Sequence, residues 1–171
     1  MNEYFKIGKF VATHGVKGDL ILVHNLGKKT SLKGLAAIFI EEAKESFIPY
    51  FIEKSTIRSE TETVLKLEGL NSKESAKKVY PKEVWISEAD FKKYTAPSAP
   101  IALLGFEMIE DGKLLGIITE VIEQPHQVLC TILVNGKEAL IPIHEESLVN
   151  VDQKKKQVHV SLPDGLLEIY Q

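Results

Sequence analysis

The stretch Val128–Val134 (VLCTILV), followed by Asn135-Gly136 and then by Ala139-Leu140-Ile141, decides the fold of this sequence. Both apolar runs are short and rich in β-branched and aliphatic residues, as β-strands are. Asn-Gly is the dipeptide that most favours a two-residue hairpin, because both of its positions require a positive φ. The stretch therefore predicts an antiparallel hairpin.

Other strand and turn signals surround this hairpin in the second half of the chain. Asp111-Gly112-Lys113 predicts another hairpin turn, between the runs Leu103–Phe106 and Leu115–Ile118, and Val158–Leu162 closes the series. Short strands with closely spaced turns favour a small, mostly antiparallel β-barrel. The first half, from Tyr4 to Leu67, has the same pattern, so the predicted fold is all-β, with two small β-barrels and one or two short helices.

The first predicted helix lies between the last strands of the first half. Asn71 is the predicted N-cap, with Glu74 three residues later as in a capping box. Ala76, Val79 and Tyr80 share one face, and the proline that follows Tyr80 is expected to stop the helix.

A second short helix is predicted from Ser87 to Tyr94, where Ser87 and Asp90 have capping-box spacing. Residues 95–100 follow, and they are small, uncharged and rich in proline, which is the composition of an exposed linker. The predicted organisation is therefore an N-terminal barrel at residues 1–94, a linker at 95–100 and a C-terminal barrel at 101–171.

The composition favours a soluble globular protein. Of its 171 residues, 44% are hydrophobic and 26% charged, without an apolar run long enough to span a bilayer. The first ten residues, MNEYFKIGKF, lack the apolar core of a signal peptide, so we expect a cytoplasmic location and no membrane partner. With Cys130 as its one cysteine, the chain cannot form an internal disulfide.

Charge is distributed unevenly along the chain. Residues 1–95 hold 16 Lys and Arg against 13 Asp and Glu, a net charge of +3, whereas residues 96–171 hold 5 against 11, a net charge of −6. A phosphate backbone would prefer the first half, and a basic protein the second. The alternative is that scattered lysines only keep the barrel soluble. In the basic half, the candidate residues for contact with a phosphate backbone are Lys9, His14, Lys17, Lys28 and Lys29.

Several short patterns resemble known binding or catalytic motifs but lack the features that those motifs require. Gly15-Val16-Lys17-Gly18 is flanked by strands rather than helices, so a hairpin turn is favoured over the backbone clamp of a KH domain. His126 and Cys130 could form the nucleophilic pair of a hydrolase only if the thiol were exposed and had a low pKa. His144-Glu145-Glu146 lacks the second histidine of a zinc protease. We expect no catalytic residues, no metal site and no cofactor.

An ordered set of segments resembles the RimM family of ribosome maturation factors. The opening residues Ile7–Leu20 (IGKFVATHGVKGDL) place a His-Gly-x-x-Gly turn between two strands, as that family does. The later segments follow in family order: Leu103–Phe106, Leu115-Gly116, Leu140–Ile143, Val151-Asp152 and Leu162–Leu167. Each segment alone is weak, but the ordered set covers nearly the whole chain.

The resemblance implies an N-terminal barrel like those of translation factors and a C-terminal PRC barrel. It also implies a factor that binds the head of the immature small (30S) ribosomal subunit, near small-subunit ribosomal protein nineteen, and assists 16S rRNA folding and processing. The implied role is non-enzymatic and chaperone-like, and we expect the chain to be monomeric. The alternative is a PRC-barrel adaptor that docks on a membrane-associated or cell-division complex.

The sequence departs from the family at Pro100-Ile101-Ala102, where many members carry an aromatic run that is implicated in contact with the ribosomal protein. Phe106 is the candidate replacement, because aromatic anchors are typical of binding hot spots. The alternative is that Phe106 is a core residue that shares one strand face with Leu104. With Phe106, the candidate ribosomal-protein-binding residues are Glu107, Glu110 and Asp111.

Overall fold

A computed structural model describes residues 3–168, which divide into two compact units between Ala99 and Pro100. The predicted all-β class is confirmed, with few and short helices. The strands of the first unit are β1 (Tyr4–His14), β2 (Asp19–His24), β3 (Ala37–Ala43), β4 (Ser46–Ile57), β5 (Glu62–Leu67) and β6 (Glu83–Ser87). Those of the second unit are β7 (Glu107–Glu110), β8 (Lys113–Ile117), β9 (Glu120–Gln124), β10 (Gln127–Val134), β11 (Lys137–Ile143), β12 (Leu148–Asp152) and β13 (Gln157–Val160).

The first unit is a closed barrel with the strand order β1-β2-β5-β4-β3-β6, completed where β6 pairs with β1. Alternate residues of its strands face inward, as the two-residue period of a strand requires. The inward set is mainly aliphatic and aromatic, with the buried polar residues His24 and Thr63 among it. Its fully buried apolar members include Phe10, Leu20, Leu22, Leu65 and Ile86. The outward set is therefore free to carry charge.

Two short helices follow β5 and β6. The first, α1 (Lys73–Ala76), is capped by Ser72, whose side chain accepts from Ser75 N–H, so the predicted Asn71 cap was one residue too early. Asn and Ser are both good N-caps, and the path of the backbone decides between them. The helix predicted to continue to Pro81 ends at Ala76, so Val79 and Tyr80 lie beyond it. Ala76 and Val79 are buried, and Tyr80 is exposed.

The second helix, α2 (Glu88–Tyr94), has the predicted cap. Ser87 Oγ accepts from Asp90 N–H at 3.3 Å and also donates to the Asp90 carboxylate at 2.9 Å. Phe91 is buried and meets Phe5 edge to face, with ring centroids 4.8 Å apart. Tyr94 donates its hydroxyl proton to the Lys33 carbonyl at 2.8 Å, which fixes the helix to the barrel.

The proline-rich stretch after α2 is not the exposed segment that its composition predicts. Thr95, Ala96 and Ala99 are buried. Ala96 N–H donates to the Leu26 carbonyl at 2.8 Å, and a side chain at Gly27 would collide with Ala99 Cβ. Small residues fit here because the backbone runs close to the barrel, so residues 95–99 form part of the first unit.

The second unit contains two sheets, with strand orders β11-β10-β9 and β12-β13-β7-β8. The Asn135-Gly136 hairpin is confirmed: both residues have positive φ, and Val134 pairs with Lys137. Asp111-Gly112 forms the other predicted turn in the same way. One strand pair, β13 with β7, is parallel. Between the sheets lies a core that includes Met108, Cys130, Ile132, Ile141 and Val158.

Candidate binding surfaces

The β1–β2 hairpin presents two of the predicted RNA-facing residues. Its loop, Gly15 to Gly18, needs glycine at both ends because both have positive φ, and a Cβ at Gly18 would also collide with the Leu70 carbonyl. His14 and Lys17 are exposed at this end of the barrel. The hairpin interpretation of the two glycines is therefore confirmed.

Lys28 and Lys29 lie near the other end of β2. They are exposed in the loop that follows His24, and His24 pairs with Gly8 in the middle of β1. At about 3.3 Å per residue, the six residues of β2 separate the two strand ends by roughly 20 Å. The structure thus divides the predicted basic residues into two groups, with exposed Lys9 on β1 between them.

The outer wall of the barrel also carries an open cleft of about 230 Å³, hereafter the basic cleft. Its lining residues are His14, Asp19, Lys54, Thr56, Val64 and Lys66. Sequence reasoning found only His14 among them. Lys54 and Lys66 are 12 residues apart in the chain, and only the β4–β5 register brings them together.

In the second unit, Phe106 is a core residue. It is 7% exposed and belongs to the core cluster with Met108 and Ile132. The structure therefore supports the core alternative, and we no longer propose Phe106 as an anchor. Its acidic neighbours Glu107 and Glu110 are engaged: Glu107 accepts from Gln157 Nε2 at 3.2 Å, and Glu110 accepts from Leu162 N–H at 2.6 Å. Asp111 is exposed in its hairpin turn.

Exposed leucines were missed by the sequence reasoning. Leu133 on β10 and Leu140 on β11 are 51% and 44% exposed. Leu133 pairs with Glu138 and Leu140 with Thr131, so the two leucines are diagonal neighbours on the outer face of one sheet. Ile122 and Leu129, a cross-strand pair on that face, are half-buried. We call Ile122, Leu129, Leu133 and Leu140 the outer apolar face.

Cys130 has none of the properties of a nucleophile. It is fully buried in the core, and burial raises the pKa of its thiol to about 12. His126 is exposed in the turn between β9 and β10. Within residues 3–168, no group of three His, Cys, Asp or Glu side chains is placed to hold a metal ion. In the same range, no helix is long and apolar enough to cross a lipid bilayer.

Two family models match the chain in order. The RimM N-terminal domain matches residues 5–91, and the RimM PRC barrel domain matches residues 100–166. The chain is thus a two-domain protein in which a RimM-type N-terminal domain precedes a PRC barrel.

Curated relatives match over almost their whole length. The chain is 31% identical over 179 residues to the ribosome maturation factor RimM of Parabacteroides distasonis, covering 98% of this chain and 97% of that protein. It is 32% identical over 177 residues to the RimM of Phocaeicola vulgatus, covering 97% and 98%. The family models and these relatives show that the chain belongs to the RimM family of ribosome maturation factors, as its sequence motifs predicted.

A solved structure is also similar. The N-terminal domain of RimM from Thermus thermophilus is 23% identical, with a TM-score of 0.41, and the match covers 52% of this chain and 93% of that domain.

Proposed function

We propose that this chain binds the head of the immature small ribosomal subunit, near ribosomal protein nineteen of that subunit, and assists the folding and processing of 16S rRNA. Its role is chaperone-like. The protein binds one conformation of the subunit head more tightly than competing conformations, and this differential affinity shifts the population of heads toward the bound conformation. Such a role needs binding surfaces and no reacting groups. The protein acts as a monomer in the cytoplasm and uses no cofactor.

The observation that carries this proposal, beside family membership, is the opposite charge of the two units. Residues 1–99 have a net charge of +3 and residues 100–171 a net charge of −6. The first unit is therefore the one to meet RNA phosphates, through the two ends of β2 and Lys9. The acidic second unit meets the basic ribosomal protein, because opposite potentials steer association.

The second unit still needs an apolar anchor, since Phe106 is buried. Leu133 and Leu140 supply one: they are diagonal neighbours and about half exposed. Two carboxylates lie on the same sheet. Glu138 is exposed and pairs with Leu133, and Glu120 is half-buried and pairs with Thr131. An apolar centre with charged surroundings is the usual anatomy of a binding hot spot.

Co-sedimentation tests this function. Purified full-length protein is mixed with small-subunit precursors or with mature small subunits and centrifuged through sucrose at two or more salt concentrations. We expect binding to precursors, weaker binding to mature subunits, and affinity that falls with salt. If the protein stays at the top of the gradient with precursors at low salt, the proposal fails. Flotation with lipid vesicles instead would favour the membrane-adaptor alternative.

A further inference from the structure

We propose that the basic cleft binds a backbone phosphate of RNA, with Lys54 as the main hydrogen-bond donor. The inference rests on the proposed function, because it assigns a ligand to one place on the RNA-facing unit. It adds residues that the charge distribution alone did not identify, namely Lys54, Thr56 and Lys66.

The cleft contains a pair of like charges in direct apposition. Lys54 of β4 and Lys66 of β5 are cross-strand partners, and both line the cleft, so their side chains lie on the same outer face. Like charges directly opposite each other destabilise an antiparallel pair. An anion between them would offset this cost.

The two lysines are held differently. Lys66 Nζ donates to the carbonyls of Leu67, at 3.4 Å, and Leu70, and to Asn71 Oδ1 at 2.9 Å. These bonds use the three donors of the ammonium group, so Lys66 supplies a fixed positive charge but no further hydrogen bond. The side chain of Lys54, in contrast, makes no hydrogen bond or ion pair within residues 3–168. All three of its donors can reach a ligand.

The other lining residues suit a singly charged ligand. Thr56 offers a hydroxyl, and the ring of His14 can donate one N–H even when neutral. Asp19 carries a negative charge in the same cleft. Among the lining lysines and carboxylates, Lys54, Lys66 and Asp19 sum to a charge of +1. A phosphodiester of the RNA backbone carries one negative charge and matches this sum.

The first test uses the full chain and a single-stranded RNA hexamer of uridine, followed by NMR of backbone amides. We expect the amides of Thr56 and Val64 to shift on titration in the wild type and to remain unshifted in Lys54→Gln. Inorganic phosphate is titrated in parallel. The inference is overturned if the hexamer shifts neither amide, or if inorganic phosphate binds the cleft as tightly as the RNA does.

The second test measures affinity for small-subunit precursors at several salt concentrations. Removing one phosphate contact should reduce the slope of log K against log salt by about 0.7, which corresponds to about fivefold weaker binding near 0.1 M salt. Lys54→Gln should show this loss, whereas Lys44→Gln, in the exposed β3–β4 turn, should not. Asp19→Asn should bind more tightly than wild type, since it removes the opposing charge.

These outcomes separate the two proposals. If the wild-type protein fails to bind precursors, the proposed function fails, whatever the hexamer does. If the wild type binds precursors but Lys54→Gln has wild-type affinity and slope, only the cleft assignment fails. Thermal unfolding of each variant checks that the fold is intact, and we expect Lys54→Gln to melt near the wild-type temperature because the Lys54 side chain is exposed.

Discussion

The two units of this protein have similar aliphatic cores and very different outer surfaces. The first barrel exposes lysines, at both ends of β2 and in the basic cleft, whereas one sheet of the second unit exposes Leu133 and Leu140 on its outer face. A sheet needs only one apolar face in order to fold. The outer face of each unit is therefore free to carry side chains that serve binding, and these side chains differ between the two units.

Phe106→Ala should have the largest effect, and it tests which face of the second unit is the core. Truncating a buried phenylalanine removes packing interactions and leaves a cavity, which costs about 3–5 kcal/mol of folding stability. Hydrogen exchange of the amides in β7–β13 resolves this unit from the first. Leu133→Ala, at a half-exposed position, is the control and should cost far less. Equal losses in the two variants would show that the inner and outer faces are assigned wrongly.

The double variant Leu133→Ser/Leu140→Ser tests the outer apolar face as a docking surface. If these leucines are the anchor, binding of the full chain to purified small-subunit ribosomal protein nineteen should weaken by roughly 2 kcal/mol or more. The melting temperature should stay near that of the wild type, since both leucines are about half exposed. Leu114→Ser is the matched control, because Leu114 is 57% exposed and lies outside the outer apolar face. A binding loss shared equally by the control would indicate a general effect of making the surface more polar.

Local chemistry accounts for the features that the sequence predicted well. Asn135-Gly136 and Asp111-Gly112 form hairpins because their own backbones adopt positive φ, independent of distant residues. Ser87 caps α2 through Asp90, three positions along the chain. The family resemblance likewise followed from an ordered set of short motifs.

The features that the sequence did not predict depend on contacts between segments that are distant in the chain. Lys54 meets Lys66 only through the β4–β5 register, which local propensity does not determine. Phe106 precedes β7 and donates its N–H to the Leu103 carbonyl at 3.0 Å, in a turn that follows a short 3₁₀ helix, so strand alternation could not decide whether its ring faces inward. The burial of Ala96 and Ala99 depends on the path of the Leu26-Gly27 loop, because composition alone cannot say that a neighbouring backbone passes close by.

The first barrel differs from the second unit in a further respect, a buried histidine that makes its stability sensitive to pH. His24 is 1% exposed, and its Nδ1 accepts from Leu26 N–H at 3.3 Å. Burial lowers the pKa of His24 from the usual 6.5. Below pH 6.5, His24 is therefore protonated more readily in the unfolded chain than in the folded barrel. Stability should therefore fall as pH drops from 6.5 to the lower folded-state pKa, by no more than about 1.4 kcal/mol per pH unit.

Denaturant unfolding followed by fluorescence of Trp85, the one tryptophan of the chain, measures this slope in the first barrel. His24→Asn keeps an acceptor for Leu26 N–H but removes the titrating group, so it should lose the His24 contribution to the slope. His126→Asn, in the second unit, should retain the wild-type slope. If His24→Asn has the same pH profile as the wild type, another group is responsible.

The smallest expected effects come from single lysines, and they decide how much of the first barrel faces RNA. The two ends of β2 lie roughly 20 Å apart, with Lys17 near one end and the Lys28-Lys29 pair in the loop beyond the other, so we expect the two groups to contact different phosphates. If RNA passes along the whole outer wall, Lys17→Glu and Lys28→Glu/Lys29→Glu should each reduce the salt slope of precursor binding, by about 0.7–0.9 for every phosphate that is no longer neutralised, and their effects should add. If RNA meets only the end with the basic cleft, Lys17→Glu alone should act. A wild-type slope in the combined triple variant would show that neither Lys17 nor the Lys28-Lys29 pair contacts RNA, and the basic cleft and Lys9 would then be the remaining candidates in the described part of the first barrel.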